Sequence, residues 1–351
     1  MNPAEREPLN AQRGDRAVCV GTGEFAYEAL VGWERLPDGW SLVEVVGVAS
    51  DSRGRLYVFN RGEHPLVVLN RDGTFVESWG EGAFTRPHGI TIGPDDAVYL
   101  TDDLDHTVRK YTPEGKLCWM LGRSGRKSDT GAIGHDYRTI QRAGPPFNLP
   151  TNVALSPEGD LYVADGYGNA RVHKFSANGN LLLSWGRPGR APGEFHIPHG
   201  IAVDKEGTVY VADRENNRIQ RFSPDGEFRG EWLDLARPCE VCVDPNGVFY
   251  VAELGFRAGM WPGESAPEPN ATGGRVSVLD GTGRLLARWG GGKTPCAPGD
   301  FFAPHDIWVD AWGDLYVAEV TLSAGGNRGL VAPTCHTLQK FVLREKKASR
   351  R

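Results

Sequence analysis

The sequence contains six related segments of roughly 40 residues each, and this repeat strongly limits the folds that the chain can form. Each segment alternates apolar stretches such as LYVAD, VYVAD and RIQRF with Asp-Gly or Pro-Asp-Gly turns, which indicates four short antiparallel strands. The six segments comprise residues 46–80, 86–122, 149–186, 197–232, 237–290 and 303–343. Four strands in a repeat of this length predict an all-β protein, a six-bladed β-propeller.

The two ends of the chain are predicted to meet in the last blade, because the sixth segment offers one strand too few. Residues 24–36 precede the first segment and contain the strand-like run FAYEALVGW. We predict that they supply the outer strand of the sixth blade, which protects sheet edges from pairing with other chains. The chain is therefore predicted to form one propeller domain at 24–345, with an N-terminal tail at 1–23 and a basic tail at 346–351.

Three of the six segments begin with the same short motif, and each copy carries a histidine. The motif is Pro-His-Gly-Ile around His88 and His199, and Pro-His-Asp-Ile around His305. These histidines open the first strands of blades two, four and six, so they are expected to converge at about 120° intervals on the ring axis. Three histidines with open positions are typical of catalytic Zn²⁺, and other divalent metals that bind imidazole remain alternatives.

The three intervening blades carry other residues at the histidine position, namely Val46, Thr151 and Cys239. A turn preference of the repeat for Pro-His would be an alternative explanation of the motif. Histidine would then be expected in all six blades, so its restriction to alternate blades favours one shared metal site.

Further candidate residues are predicted to lie on the same face as the histidines. The loops between second and third strands contain Arg61, Tyr167, Asn169 and Arg214. Beside a metal cation a tyrosine can act as a general base, and an arginine offers a planar fork for a carboxylate. Three long insertions are expected to wall a pocket on this face. They comprise residues 123–148, 255–274 and 320–335.

Charge and cysteine content limit the partners and the compartment. The net charge of −6 argues against a nucleic-acid partner, because phosphate binding needs a basic face. The sequence shows no apolar run of about 20 residues and no apolar signal segment, so we predict no membrane association and a cytoplasmic location. The six scattered cysteines are predicted to be reduced thiols. A small-molecule or peptide-like substrate is the expected partner, and the oligomeric state is left open.

The sequence resembles the NHL-repeat propellers, and among them the catalytic core of the peptidyl-α-hydroxyglycine α-amidating lyases. The likeness covers about residues 40–343, and its most specific pieces are FNRGEH, LPTNVALSPEGDLYVADGYGNARV, IPHGIAVDKEGTVYVADRENNRIQRF and APHDI. The resemblance implies a Zn²⁺ ion held by three histidines, with one tyrosine and one arginine as catalytic residues. By motif these are His88, His199 and His305, with Tyr167 and Arg61.

The same resemblance implies a structural Ca²⁺ ion deeper in the channel. Its protein ligands would be the carboxylate of Asp306 and the backbone carbonyls of Val48 and Ile90. Two positions depart from the family. Ala303 stands where the family has a methionine, so a different pocket shape is expected, and Gly168 replaces a cysteine, so that family disulfide is missing.

The reaction implied by the resemblance is cleavage of an N–C(OH) carbinolamide into an amide and glyoxylate. Tyr167 would take the proton and Arg61 would hold the carboxylate, while Ala303, Arg214 and Asn169 are predicted to contact the substrate. Two other classes of function stay open at this point, a lactonase-like metallohydrolase and a non-enzymatic NHL-repeat scaffold. Bound zinc would favour the lyase, calcium alone the lactonase, and no metal the scaffold.

Overall fold

The alternating apolar stretches of each repeat fold into one antiparallel sheet, and the six sheets are the blades of a propeller. The computed structural model describes residues 17–267 and 272–344. The predicted all-β, six-bladed fold is confirmed. Residues 1–16 and the basic tail predicted at 346–351 lie outside the described residues.

Every blade has its four strands in the predicted order, from the channel outwards. Two strands precede blade one, β1 (Val18–Thr22) and β2 (Phe25–Val31). Blade one contains β3 (Val45–Ser50), β4 (Leu56–Asn60), β5 (Leu66–Leu69) and β6 (Phe75–Trp79). Blade two contains β7 (Pro87–Ile92), β8 (Val98–Asp102), β9 (Thr107–Tyr111) and β10 (Leu117–Gly122). Blade three contains β11 (Asn152–Leu155), β12 (Leu161–Asp165), β13 (Arg171–Phe175) and β14 (Leu181–Trp185).

The second half of the ring repeats this plan. Blade four contains β15 (Pro198–Val203), β16 (Val209–Asp213), β17 (Arg218–Phe222) and β18 (Phe228–Trp232). Blade five contains β19 (Pro238–Val243), β20 (Phe249–Glu253), β21 (Arg275–Leu279) and β22 (Leu285–Gly290). Blade six contains β23 (Pro304–Val309), β24 (Leu315–Glu319) and β25 (Leu338–Leu343). Helical turns in the described residues are short, at Tyr137–Thr139, Arg214–Asn216, Thr321–Ala324 and Gly326–Arg328.

The first strands of the blades line the channel and contact one another in a closed ring, β3 to β7, β11, β15, β19, β23 and back to β3. Most of the first- and second-strand residues are buried, and apolar side chains of neighbouring blades pack between the sheets. The hydrophobic effect therefore holds the ring together, while the starts of the six inner strands meet around one axis.

The predicted closure by the N-terminal segment is confirmed. The sixth sheet has the order β1-β2-β25-β24-β23, and β2 pairs antiparallel with β25, with Tyr27 opposite Leu343. The added strand β1 was not predicted, because its short sequence VCVGT lies in the segment assigned to a tail. The closing strand is also anchored to blade five, since the rings of Tyr27 and Trp289 lie 5.5 Å apart.

The prediction that all six cysteines are reduced is wrong for two of them. Cys296 and Cys335 form a disulfide with a Cα–Cα distance of 5.0 Å. They are 39 residues apart, and only the folded insertion of blade six brings them together, so their spacing gave no signal. Disulfides are typical of oxidising compartments, which removes the support that scattered thiols gave to the predicted cytoplasmic location. Of the described segments, none is a helix with the length and apolarity needed to cross a membrane.

The closure generates a stability prediction. Tyr27 is almost fully buried against blade five, so Tyr27→Ala should lower the free energy of unfolding by about 3–5 kcal/mol. Val31 lies on the same strand and is 37% exposed, so Val31→Ala should change it by less than about 0.5 kcal/mol. Urea denaturation of both variants measures this difference, and equal midpoints would contradict a closing role for the strand.

Candidate functional site

The three predicted histidines meet on the channel axis. His88, His199 and His305 are each the second residue of an inner strand, and they are 1%, 1% and 5% exposed. One ring nitrogen from each lies within 4.8 Å of the other two. The starts of alternate inner strands thus bring three imidazoles together at a spacing that can hold one metal ion.

The orientation of each imidazole is fixed by the next blade. The Nδ1 atoms of His88, His199 and His305 lie 2.7, 3.0 and 2.8 Å from the backbone carbonyl oxygens of Thr151, Cys239 and Val46. A carbonyl can only accept, so each Nδ1 carries the hydrogen and each Nε2 has its lone pair free for a ligand bond. The blades without a histidine therefore supply the carbonyls that hold the histidines of the other three, as in the outer shells of metal sites.

The imidazoles are held in the neutral form that metals bind. Burial lowers the pKa of His88 and His199 well below the ordinary value, and nearby cationic groups add to the effect. Burial and then Arg61 lower the pKa of His305 to about 3. Neutral imidazoles near pH 7 are ready to bind a metal without losing a proton.

Tyr167 is brought to the same point by the loop that follows β12. Its hydroxyl oxygen lies 3.2 Å from Nε2 of His88 and 3.1 Å from Nε2 of His199. Its own backbone amide donates to the carbonyl of Leu149, which fixes the loop against the start of blade three. The phenol hydroxyl is therefore within hydrogen-bond distance of two of the three imidazoles.

Two guanidinium groups flank the phenol. Nη1 of Arg214 lies 3.4 Å from the Tyr167 hydroxyl, and the guanidinium carbon lies 5.4 Å from the ring centre. The guanidinium of Arg86 lies 5.9 Å from the same ring. Two cationic side chains therefore lie within 6 Å of the Tyr167 ring centre. Arg86 was not singled out in the sequence, although its place directly before Pro87-His88 is a usable signal.

Arg61 reaches the site from blade one through a buried ion pair. Its Nη1 lies 2.9 Å from a carboxylate oxygen of Glu44, and its Nε donates to the Pro87 carbonyl at 3.0 Å. The partner is therefore Glu44 and not the exposed Glu63, the acidic residue nearest to Arg61 in the sequence motif. Glu44 precedes the first strand of blade one, and only the blade geometry brings the two residues together.

A second ion-pair network anchors Arg214 and the second insertion. Glu215 binds Nε of Arg214 at 2.8 Å and Nη2 of Arg237 at 2.9 Å. The remaining donors of Arg237 bind the carbonyls of Gly255, Ala258 and Gly259. The network joins the arginine beside Tyr167 to the backbone of the second insertion, which restricts its motion.

The three insertions that were predicted to lie on the histidine face contact one another. Tyr137 of the first donates to Glu264 of the second at 2.7 Å, and Gly259 of the second donates its amide to Ala324 of the third at 3.1 Å. The third also reaches Arg61, whose Nη1 lies 3.5 Å from the Ser323 hydroxyl. The described parts of the insertions therefore form a continuous wall at this end of the channel.

Two residues predicted to contact the substrate have structural surroundings instead. Asn169 is fully buried, and its amide group binds Asp165 at 2.6 Å and the backbone of Gly144 at 2.8 Å. Ala303 is also fully buried, in an apolar cluster with Phe302. The amide of Asn169 is thus used in holding the first insertion, and we do not retain it as a substrate contact.

The channel contains a second polar layer further along the inner strands. Asp306 and Glu240 are both buried, and they line a cavity of about 330 Å³ together with Asn152. Burial, and then the charge of Glu240, raise the pKa of Asp306 well above its ordinary value, and burial raises that of Glu240 to about 8. Two neighbouring buried carboxyl groups with raised pKa values suit a bound cation, which would favour their ionised forms and compensate their charge.

The two predicted backbone partners of Asp306 lie beside it. The backbone amide of Val48 donates a hydrogen bond to the Asp306 carboxylate at 3.1 Å. This contact involves the backbone nitrogen of Val48, whereas the predicted metal ligand is its carbonyl oxygen. A Cβ placed on Gly47 would lie 3.0 Å from the same carboxylate and 2.7 Å from the Ile90 side chain, which shows how closely the three strands approach. Ligation by the carbonyls of Val48 and Ile90 stays a prediction. Glu240 was not predicted from the sequence. It follows Cys239, which stands at the histidine position of blade five, so no Pro-His motif marks it.

Comparison with known proteins agrees with the repeat. The NHL repeat profile matches residues 147–175 and 195–222. The human NHL repeat-containing protein 3 is 32% identical over 322 residues, which are 87% of this chain and 84% of that protein. The chain belongs to the NHL-repeat family.

Other relatives of this NHL-repeat protein carry an enzymatic name. The peptidyl-α-hydroxyglycine α-amidating lyase 1 of Drosophila melanogaster is 37% identical over 125 residues, 35% of this chain and 20% of that protein. Among solved structures, a gluconolactonase from Xanthomonas campestris has a TM-score of 0.61 at 14% identity, covering 94% of this chain and 96% of the other. That likeness shows the fold alone.

The site geometry predicts the behaviour of histidine variants. His88→Ala, His199→Ala and His305→Ala should each reduce the zinc or other transition-metal content of purified protein from about one ion to well below half, because two imidazoles hold a metal weakly. His64→Ala is the matched control, since His64 pairs with Glu81 outside the channel and should leave the metal content unchanged. Elemental analysis by mass spectrometry provides the measurement. Full metal content in two of the three channel variants would contradict a three-histidine centre.

Proposed function

We propose that this chain is a zinc-dependent lyase that cleaves an N–C(OH) carbinolamide into an amide and glyoxylate or a related carbonyl product. The observation that carries the proposal is the Tyr167 hydroxyl, which lies within hydrogen-bond distance of two Nε2 atoms of the three-histidine cluster. A potential proton acceptor and three neutral imidazoles thus share one buried point. The named lyase among the relatives supports the same reaction class.

The residues divide the reaction into proton transfer and anion binding. Bound zinc would lower the pKa of a substrate hydroxyl. Tyr167 accepts the hydroxyl proton, the electron pair left on oxygen forms the carbonyl as the C–N bond breaks, and the amide nitrogen takes up a proton. Arg61 and Arg214 bind the substrate carboxylate and keep it oriented. Arg214 also positions the Tyr167 hydroxyl, which its Nη1 approaches to 3.4 Å.

The charges around the centre support this assignment over the other two classes. A scaffold has no need for three buried, neutral imidazoles around a tyrosine, which are expensive to bury without a ligand. The cluster that could hold a metal near Tyr167 consists of three histidines without a carboxylate. A calcium-dependent lactonase would be expected to place acidic ligands at its reactive metal. The similarity to the gluconolactonase concerns the fold and favours no reaction.

The direct test is incubation of the purified protein with an N-acyl-α-hydroxyglycine, followed by assay of glyoxylate. We expect release above the spontaneous rate, loss of this release after treatment with a strong chelator, and recovery on addition of zinc. No chelator-sensitive release with several acyl groups would contradict the lyase proposal.

Tyr167→Phe separates catalysis from binding. The change removes one hydroxyl, so metal content and fold should be kept while kcat falls by about 10²–10⁴, the usual effect of a positioned general base. Tyr162→Phe is the matched control in the same blade, because the Tyr162 hydroxyl bonds the Pro224 carbonyl away from the cluster. Steady-state kinetics of both variants decide the role, and near-normal kcat for Tyr167→Phe would refute it.

For the deeper layer we propose a structural Ca²⁺ ion, bound by Asp306 and the carbonyls of Val48 and Ile90, with Glu240 as a second compensating charge. These residues come from blades one, two, five and six, so an ion there would join four inner strands. The buried pair of carboxylates supports the assignment, because its charge needs a counter-ion.

Calcium should therefore stabilise the fold of the wild type. At a free Ca²⁺ concentration of 100 times Kd, the gain in free energy of unfolding should be about 2.7 kcal/mol. Asp306→Asn should lose this gain, whereas Asp95→Asn should keep it, since Asp95 is an exposed partner of Lys110. Thermal melts with calcium and with chelator measure the effect. Equal melting temperatures of the wild type in both conditions would contradict the calcium site.

A further inference from the structure

The histidine end of the channel is bounded by six equivalent residues, one from each blade, which we name the mouth ring. In each blade this residue lies within two positions after the end of the second strand. Its backbone amide donates to the backbone carbonyl of a residue at the entry to the first strand of the same blade. The mouth ring consists of Arg61, Asp103, Tyr167, Arg214, Leu254 and Val320. Because three members already belong to the proposed active site, the chemistry of the others bears on the substrate.

Asp103 is the one acidic member of the mouth ring. It lies between Arg61 of blade one and Tyr167 of blade three in ring order. Leu254 and Val320 continue the ring on the other side, so the mouth has a charged half and an apolar half. The polar end of a bound molecule would therefore face blades one to four.

The carboxylate of Asp103 is buried and unsatisfied. The residue is 0% exposed, and among residues 17–267 and 272–344 neither carboxylate oxygen has a donor in good hydrogen-bond geometry, the Leu104 backbone amide acting on it only weakly. One guanidinium nitrogen of Arg86 approaches to 3.3 Å as an ion pair without hydrogen-bond geometry. Buried carboxylate oxygens without donors are rare in folded proteins, because the lost hydration is not replaced.

The neighbouring blade provides an internal comparison. There the arrangement of charges is reversed, with Glu44 before the first strand and Arg61 in the mouth ring. Both oxygens of Glu44 are used, one by Arg61 at 2.9 Å and the other by the amide of Ser323 at 2.7 Å. The repeat can therefore satisfy a buried carboxylate at this level, and it does not do so for Asp103.

Asp103 is also connected to the reactive centre. Its ion-pair partner Arg86 lies over the ring of Tyr167 at 5.9 Å and precedes His88 by two residues. On the other side, Arg61 binds the Pro87 carbonyl that separates Arg86 from His88. The unsatisfied acceptor thus lies beside the residues proposed to hold the substrate carboxylate and its hydroxyl.

We propose that Asp103 determines specificity by accepting a hydrogen bond from the N–H group of the substrate, beside the carboxylate held by the arginines. The inference rests on the proposed lyase function and narrows its substrate class to N-acylated α-hydroxyglycines with an intact secondary amide. Tertiary amides and the corresponding O-acyl compounds have no such donor. They would leave the carboxylate unsatisfied and should bind about 10- to 100-fold more weakly, as expected for a lost hydrogen bond to a charged group.

Binding of two unreactive ligands tests this without turnover. N-acetylglycine carries the carboxylate and the N–H, and N-acetyl-N-methylglycine carries the carboxylate alone; both lack the hydroxyl and cannot be cleaved. Titration calorimetry with the metal-loaded wild type should give about 10- to 100-fold tighter binding of the N–H compound. In Asp103→Ala the ratio of the two dissociation constants should fall to within about threefold, because the acceptor is gone and space is left for the methyl group.

Controls separate recognition from general damage. Asp95→Ala removes an exposed carboxylate of the same blade and should keep the wild-type ratio. Asp103→Asn keeps the shape of the side chain and should show an intermediate ratio if Asp103→Ala does not fold. Equal binding of the two ligands to the wild type, an unchanged ratio in Asp103→Ala, or no binding of either ligand would each overturn the inference. Glyoxylate release from the hydroxylated compounds judges the lyase proposal separately.

Discussion

The site depends on one type of hydrogen bond, between the Nδ1–H of a channel histidine and a backbone carbonyl of the next blade. Three such bonds, of 2.7 to 3.0 Å, fix the three rings and direct their Nε2 atoms at the axis. The carbonyls of Val46 and Cys239 belong to inner strands and that of Thr151 directly precedes one, so sheet pairing and packing between blades fix their positions. The orientation of the imidazoles is thus a consequence of the ring of blades. Rigid hydrogen-bond partners behind the ligands, such as these carbonyls, help to determine how tightly a site binds its metal.

Along the axis the channel separates two kinds of ligand. The neutral imidazoles and the phenol form one layer near the mouth, and the buried carboxylates of Asp306 and Glu240 form another further along the inner strands. Asp306 directly follows His305, so one strand contributes to both layers through side chains that point in different directions. The separation lets a nitrogen-binding metal and an oxygen-binding metal each find suitable ligands.

Much of this arrangement was predictable from the sequence, because repeats report equivalent positions. The spacing of turns predicted the six blades, and the histidines on alternate blades predicted the cluster on the axis. The strand-like run FAYEALVGW predicted the closing strand. The missed features depend on contacts between distant segments. Glu44 forms an ion pair with Arg61, and Cys296 forms a disulfide with Cys335 in an insertion. The side chain of Asn169 accepts a hydrogen bond from a neighbouring loop. Pattern and propensity contain no information on such pairings, since they arise only from the packed geometry.

The alternation of blades with and without a histidine also limits the number of blades that such a centre can use. Each imidazole is held by a backbone carbonyl of the following blade, so the inner ring consists of a two-blade unit used three times. Gain or loss of a single repeat would change the angles between the histidine-bearing blades, and the three imidazoles would no longer approach the axis at equal intervals. Propellers that keep such a centre should therefore keep six blades, although the sheets themselves would accept any count that closes.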